Sequence, residues 1–107
     1  MLLSGITTVL DMYYFEEVVA KVMDEMGIRG IAGETVMETD SCDSENTDQA
    51  IERGLALIAA YKDHPRVSGT LTPHGTTTCS PETLKRVYEE DVKAGSVFTL
   101  HTAEMDY

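Results

Sequence analysis

The sequence predicts an α/β fold, a parallel sheet built from four βα units. Three observations predict it. Short β-branched apolar runs alternate with amphipathic helical segments, most connections between them are short, and the helices carry start or stop signals of their own.

Ile6 to Met12 (ITTVLDM) is apolar and β-branched and reads as the first strand. In the next segment Phe15, Val18, Val19, Val22, Met23 and Met26 recur at the spacing of one helical face. That stripe is read as core, not as a cofactor box, and Gly27 ends the helix in the C′ position. Ile28 to Val36 reads as the second strand, in which Gly30 and Gly33 point to close packing under a neighbouring element. A polar loop, Met37 to Asp48, follows. Gln49 to Tyr61 is helical with Ile51, Leu55 and Ile58 on one stripe, and His64-Pro65 stops it because the residue before proline avoids the α region. Val67 to Pro73 is the third strand.

Ser80-Pro81-Glu82 is a strong helix start: serine caps, proline occupies the first turn where its missing N–H costs nothing, and glutamate favours the positive end. That helix is expected to turn Leu84, Val87, Tyr88 and Val92 inward and to end at Gly95, after which Ser96 to Thr102 is the fourth strand. The pattern opens on a fragment of helix and stops where a fourth helix is due. Both ends look cut from something larger, and residues 1–107 are expected to form a single compact α/β unit.

Asp and Glu outnumber Lys and Arg by 19 to 8, a formal charge of −11 that repels phosphate backbones and anionic membrane surfaces. Nucleic acid is therefore not expected as a partner. No apolar run approaches the roughly 18 to 20 residues of a membrane span, and Met1-Leu2-Leu3-Ser4-Gly5 lacks the basic region of a signal peptide, so a cytoplasmic protein is expected. Cys42 and Cys79 are far apart with no CxxC pairing, which makes reduced thiols the default. Neither GxGxxG nor GxxxxGK[ST] follows any strand, so dinucleotide and P-loop chemistry is excluded.

In parallel α/β folds functional residues gather at the carboxyl ends of the strands, and Asp11, Glu34, His74, His101 and Glu104 fall at or just beyond such ends. Next to the end of an apolar strand, His101 is either a ligand for a divalent metal or a hydrogen-bonded core histidine. Glu104, three residues on, is either a group that passes protons between a bound water and a leaving group or an exposed acid near a helix start. His74, in Thr72-Pro73-His74-Gly75, either meets a substrate's polarised carbonyl or ring nitrogen or is a turn histidine pinned by its neighbours. Asp11 is expected to hydrogen-bond loop backbone. A nucleophilic pair of Cys79 with His74 lacks an oxyanion hole and an orienting third group.

Three stretches in order, Ser4-Gly5-Ile6-Thr7-Thr8-Val9-Leu10-Asp11-Met12-Tyr13-Tyr14, Pro73-His74-Gly75-Thr76-Thr77-Thr78-Cys79-Ser80 and Leu100-His101-Thr102-Ala103-Glu104, with helices between, resemble the amidohydrolase superfamily. The resemblance is to its branch of chlorohydrolases and cytosine, guanine, methylthioadenosine and S-adenosylhomocysteine deaminases. It implies a (β/α)8 TIM-like barrel holding zinc or iron, with the four strands here corresponding to its second through fifth. It also implies His101 as a metal ligand, Glu104 as a proton shuttle and His74 as a substrate contact, in a hydrolase acting on C–N or C–halogen bonds of small molecules. The HxH pair of the family's first strand, the histidine of its sixth and the aspartate of its eighth have no counterpart here, so the isolated chain is expected to be catalytically silent. An alternative is a non-catalytic half-barrel that associates with itself through its exposed sheet edges into a homo-oligomer. A third is an open, flavodoxin-like sheet stable alone.

Overall fold

Each strand of the chain pairs in parallel with the next, and a helix follows every strand. The computed structural model describes residues 1–105. Strands β1 (Thr8–Tyr13), β2 (Arg29–Val36) and β3 (Val67–Pro73) form one sheet in that order, followed in turn by helices α1 (Glu16–Met26), α2 (Thr47–Ala60) and α3 (Pro81–Ala94). Thr8 lies opposite Arg29, Gly30 opposite Val67 and Val36 opposite Pro73. Among the described residues no helix is long and apolar enough to cross a membrane.

Local chemistry sets the element ends. Phe15 adopts a left-handed conformation (φ 55°), uncommon for a bulky residue, and its amide donates to Asp43 Oδ2 at 2.7 Å, so the chain turns sharply from β1 into α1. Asn46 caps α2 by accepting from the Gln49 amide, and Ser80 caps α3 by accepting from the Thr83 amide with Pro81 beside it. Gly27 and Gly95 end α1 and α3 at φ 75° and 71°. Ser80→Ala is expected to cost about 1 kcal/mol in urea unfolding, since one orphan amide of α3 loses its acceptor.

The helices pack on the sheet through two clusters. One holds Ala20, Met23, Ile28, Ala32, Leu57 and Val67, the other Val36, Ala50, Ile51, Leu71 and Val87. The two strand glycines admit close approach as expected: a Cβ on Gly30 would stand 2.3 Å from Met23 Sδ, and one on Gly33 would stand 2.8 Å from the Asp11 carbonyl.

Three expectations are corrected. The α1 stripe is not all core, because the line that meets β2 is Glu16, Ala20 and Met23, while Phe15, Val18, Val22 and Met26 are exposed. Val18 and Val22, with Leu2, Leu3 and Leu10, line an open apolar groove of about 630 Å³ instead. Of the four apolar residues expected to face inward from α3, only Val87 is fully buried. Tyr88 and Val92 face outward, and the Tyr88 ring meets Phe98 edge-on at 5.4 Å between centroids.

The third correction concerns the fourth strand. Ser96 to Thr102 does not form one, and its one backbone pairing with the sheet side is an isolated parallel bridge between Gly75 and His101. The reason is visible at the edge of β3. The Leu71 amide, which a ladder partner would use, donates to Asp91 Oδ1 at 3.1 Å, and the Val97 carbonyl is taken by the Thr70 hydroxyl. The place where a fourth helix is due lies beyond the described residues.

Candidate functional site

Five polar residues were expected to gather at the carboxyl ends of the strands, and the structure sorts them into two groups. The first is the histidine pair. His74 directly follows β3, its amide donating to the Val36 carbonyl at 2.9 Å and its Nδ1 paired with Thr78 Oγ1 at 2.8 Å. His101 donates its amide to the His74 carbonyl at 3.0 Å, and the two rings meet edge-to-face with centroids 5.4 Å apart. His101 is exposed, not buried in a strand, and Glu104 is exposed beyond Ala103, whose φ of 52° turns the chain.

The second group is acidic and lies between the sheet and the helices. The Cβ of Glu34 would be 3.2 Å from a Cβ on Gly54 of α2, and its carboxylate accepts from Arg53 Nε at 3.3 Å. Arg53 also bonds Glu17 at 2.8 Å and lies 3.6 Å from Asp43. Burial pushes the Glu34 carboxyl up to about 7, aided by the nearby Asp43 and resisted by Arg53.

Glu16, the first residue of α1, is fully buried, and neither of its oxygens has a well-formed hydrogen-bond partner. Burial first and the adjacent Asp11 second push its carboxyl up to about 8. Asp11 therefore faces a second carboxyl group, which corrects the expectation that it hydrogen-bonds loop backbone. Neither Asp11 nor Glu34 joins the histidines.

Cys79 is also accounted for. It is buried, and its thiol donates to the Val36 carbonyl at 3.2 Å, while His74 pairs with Thr78. No Cys79–His74 pair is made.

Sequence reading missed Glu16 and Asp91. Asp91 is fully buried in the last turns of α3, where its Oδ1 accepts from Thr70, Leu71 and Ser96. The signal was present in both cases, since each acid falls on the stripe that its helix buries: Val87 and Asp91 are four apart, as are Glu16 and Ala20.

Three parallel βα units in sequential order, with the histidine pair at the carboxyl end of β3, suit an arc of a (β/α)8 barrel. The chain belongs to the amidohydrolase family, which matches residues 1–107. It is 32% identical over 104 residues to a 5-methylthioadenosine/S-adenosylhomocysteine deaminase of Thermodesulfovibrio yellowstonii and 35% identical over 106 residues to one of Thermococcus onnurineus. In both alignments 97% of this chain is covered and 24% of the relative, so the chain spans about a quarter of the length of these curated relatives.

An adenosine deaminase from Xanthomonas campestris with bound zinc superposes with a TM-score of 0.92 at 26% identity, covering 97% of this chain and 24% of that one. Atrazine chlorohydrolase from Arthrobacter aurescens, complexed with zinc, shares the fold with a TM-score of 0.83 at 23% identity, covering 96% and 27%.

The zinc of those neighbours prompts a test of the donor set here. Among the described residues no group of three or more His, Cys, Asp or Glu side chains is placed to hold a metal ion. His101 offers one imidazole, whereas a zinc site requires about three or four protein ligands. The described residues do not by themselves fit the metal.

Proposed function

We propose that this chain is one arc of a hydrolytic deaminase or chlorohydrolase of amidohydrolase type, its three strand-helix units corresponding to the second through fourth of the barrel and residues 96–104 to the stretch of the fifth strand, folded as a single partial barrel domain over residues 1–107. Its chemistry is hydrolysis of a C–N bond other than a peptide, or of a C–halogen bond, in a small ring substrate. His74 contacts the substrate, Glu104 carries a proton between attacking water and leaving group, and His101 contributes one ligand to a zinc or iron site that needs further donors. The observation that carries the reading is the edge-to-face contact of His74 and His101 at the carboxyl end of β3. The Thr78 hydroxyl engages Nδ1 of His74, which directs Nε2 toward a substrate atom. By itself the chain is catalytically silent.

Two measurements test this. Purified chain supplied with zinc is expected to release no ammonia from S-adenosylhomocysteine or methylthioadenosine; zinc-dependent release that disappears in His101→Ala would sink the claim of silence. In a zinc titration followed by histidine NMR, the His101 ring is expected to respond before His64, whose Nε2 is engaged by Asp24 at 2.9 Å. Equal response of the two rings overturns the assignment of His101.

A second reading has its own support. β1 pairs only with β2 among the described residues, and the apolar groove runs beside it. In that reading the chain is a cytoplasmic homo-oligomer joined through its sheet edges, whether or not chemistry follows. Native mass spectrometry at micromolar concentration is expected to show a dimer or larger species, and a strictly monomeric chain rules it out.

A further inference from the structure

His101 reaches His74 without a strand to carry it there. Between Gly95 and His101 the chain makes no continuous ladder with β3, so something else must decide which residue lands beside His74. Two fastenings do so. At the upper end the His101 amide bonds the His74 carbonyl. At the lower end the Val97 carbonyl accepts from the Thr70 hydroxyl, and Ser96 is held by Asp91 through its amide, at 3.0 Å to the Asp91 carbonyl, and through its hydroxyl, to Oδ1.

Thr70 and His74 are four residues apart, and so are Val97 and His101. Equal spans at the same extended rise mean that the segment runs alongside β3 in one register, fixed at both ends and open between them. A slip of one residue would bring Leu100 or Thr102 opposite Gly75 in place of His101 and turn every side chain to the other face.

From these contacts we infer that Asp91 is a positioning residue: its buried carboxylate, with Thr70, sets the register that delivers His101 to His74. One oxygen does the work. Oδ1 accepts from the Leu71 amide at 3.1 Å and from the Ser96 hydroxyl, and it lies 3.1 Å from the Thr70 hydroxyl, whose single proton is shared between Oδ1 and the Val97 carbonyl, so this atom joins β3 to the start of the segment. Asp91 thereby stands where a ladder acceptor would stand and passes the segment outward, so that backbone pairing resumes only at Gly75 and His101. The bonds at Oδ1 reduce the cost of burying this acid without cancelling it, since Oδ2 has no partner and burial still holds the carboxyl above its ordinary range; the residue is kept inside at that cost. The functional weight of this register rests on the reading of His101 given above.

The test compares Asp91→Ala, Asp91→Asn and Thr70→Val in the full chain, by amide hydrogen exchange and by the nuclear Overhauser contact between the His74 and His101 rings. In Asp91→Ala and Thr70→Val the His101 amide is expected to exchange at least about tenfold faster and the ring contact to weaken, while Ala32 in β2 keeps its protection. Asp91→Asn, whose carboxamide oxygen can accept the same donors, is expected to restore much of the His101 protection. Unchanged His101 exchange with an intact β2 overturns the inference. If Asp91→Ala loses β2 protection as well, Thr70→Val, which keeps the side-chain shape, decides by the same comparison. Neither readout involves metal or substrate, so a failed zinc titration at His101 leaves the register result standing, and the reverse also holds.

Discussion

Glu16→Gln is expected to raise the stability of the chain near pH 8 by about 3 kcal/mol and to flatten its dependence on pH. Glu16 opens α1, where the positive end of the helix favours a carboxylate by roughly 0.3 to 1 kcal/mol. Against that stand complete burial and the Asp11 and Glu34 carboxyls as neighbours, with the Tyr13 backbone only a small counterweight. Burial and like charge win, and the carboxyl rises from 4.5 to about 8. The folded chain therefore binds this proton more tightly than the unfolded chain does.

Its stabilising contribution is complete below about pH 4.5 and is lost as pH rises through about 8. At about 1.4 kcal/mol per unit the full swing is on the order of 4 to 5 kcal/mol. Glu34, pushed up to about 7, moves in the same direction in both proteins, so the variant keeps a shallower slope; its gain falls short of the full swing because Glu16 is only half ionised at pH 8 and a buried carboxamide still lacks part of its hydrogen bonding. Glutamine is neutral throughout and can donate its amide to Asp11. Urea midpoints measured from pH 5 to 9 should fall steeply for the native chain and only gently for the variant; parallel curves would show that Glu16 is not the group that titrates.

How far the fold was legible depended on whether local chemistry or tertiary packing decided each element. Ser80-Pro81-Glu82, Gly27, Gly95 and the run from Val67 to Pro73 are local signals, and the elements stand where those signals place them. The period of α1 named a stripe but could not say which half of it meets the sheet, so Val18 and Val22 were assigned to a core that they do not reach. Val97-Phe98-Thr99-Leu100 has the composition of a strand. Its ladder fails because Asp91, from the preceding helix, claims the Leu71 amide, a contact between residues twenty apart in sequence.

The histidines were visible for a different reason. Each follows an apolar run directly, so their common rim could be read from order alone, whereas their spacing and the bond between them could not. Glu16 and Asp91 escaped because an acid on a helix ordinarily reads as solvated surface, and only its position on the buried stripe marks it.

The notch over Gly54 should produce the other large effect. Leu71 is fully buried among Val36, Ala50, Ile51 and Val87, and its Cδ2 lies 2.1 Å from where a Cβ on Gly54 would stand. Leu71→Ala is expected to cost about 3 to 4 kcal/mol, as removal of a buried leucine does where the surroundings cannot close in. That is a large share of the roughly 5 to 15 kcal/mol that stabilises a domain. Gly54→Ala alone forces the leucine aside at a cost of about 1 to 3 kcal/mol, set against roughly 1 kcal/mol that alanine returns in a helix interior.

In the double variant the alanine methyl at position 54 enters space that the shortened side chain at position 71 no longer fills. The close approach to Glu34 Cβ, 3.2 Å, keeps the compensation partial. Together the two changes are expected to cost about 2 kcal/mol less than the sum of each alone, read from urea midpoints at unchanged slope. Additivity within about 0.5 kcal/mol would mean that α2 shifts away from β3 to admit the methyl, and that the notch is not what sets their spacing.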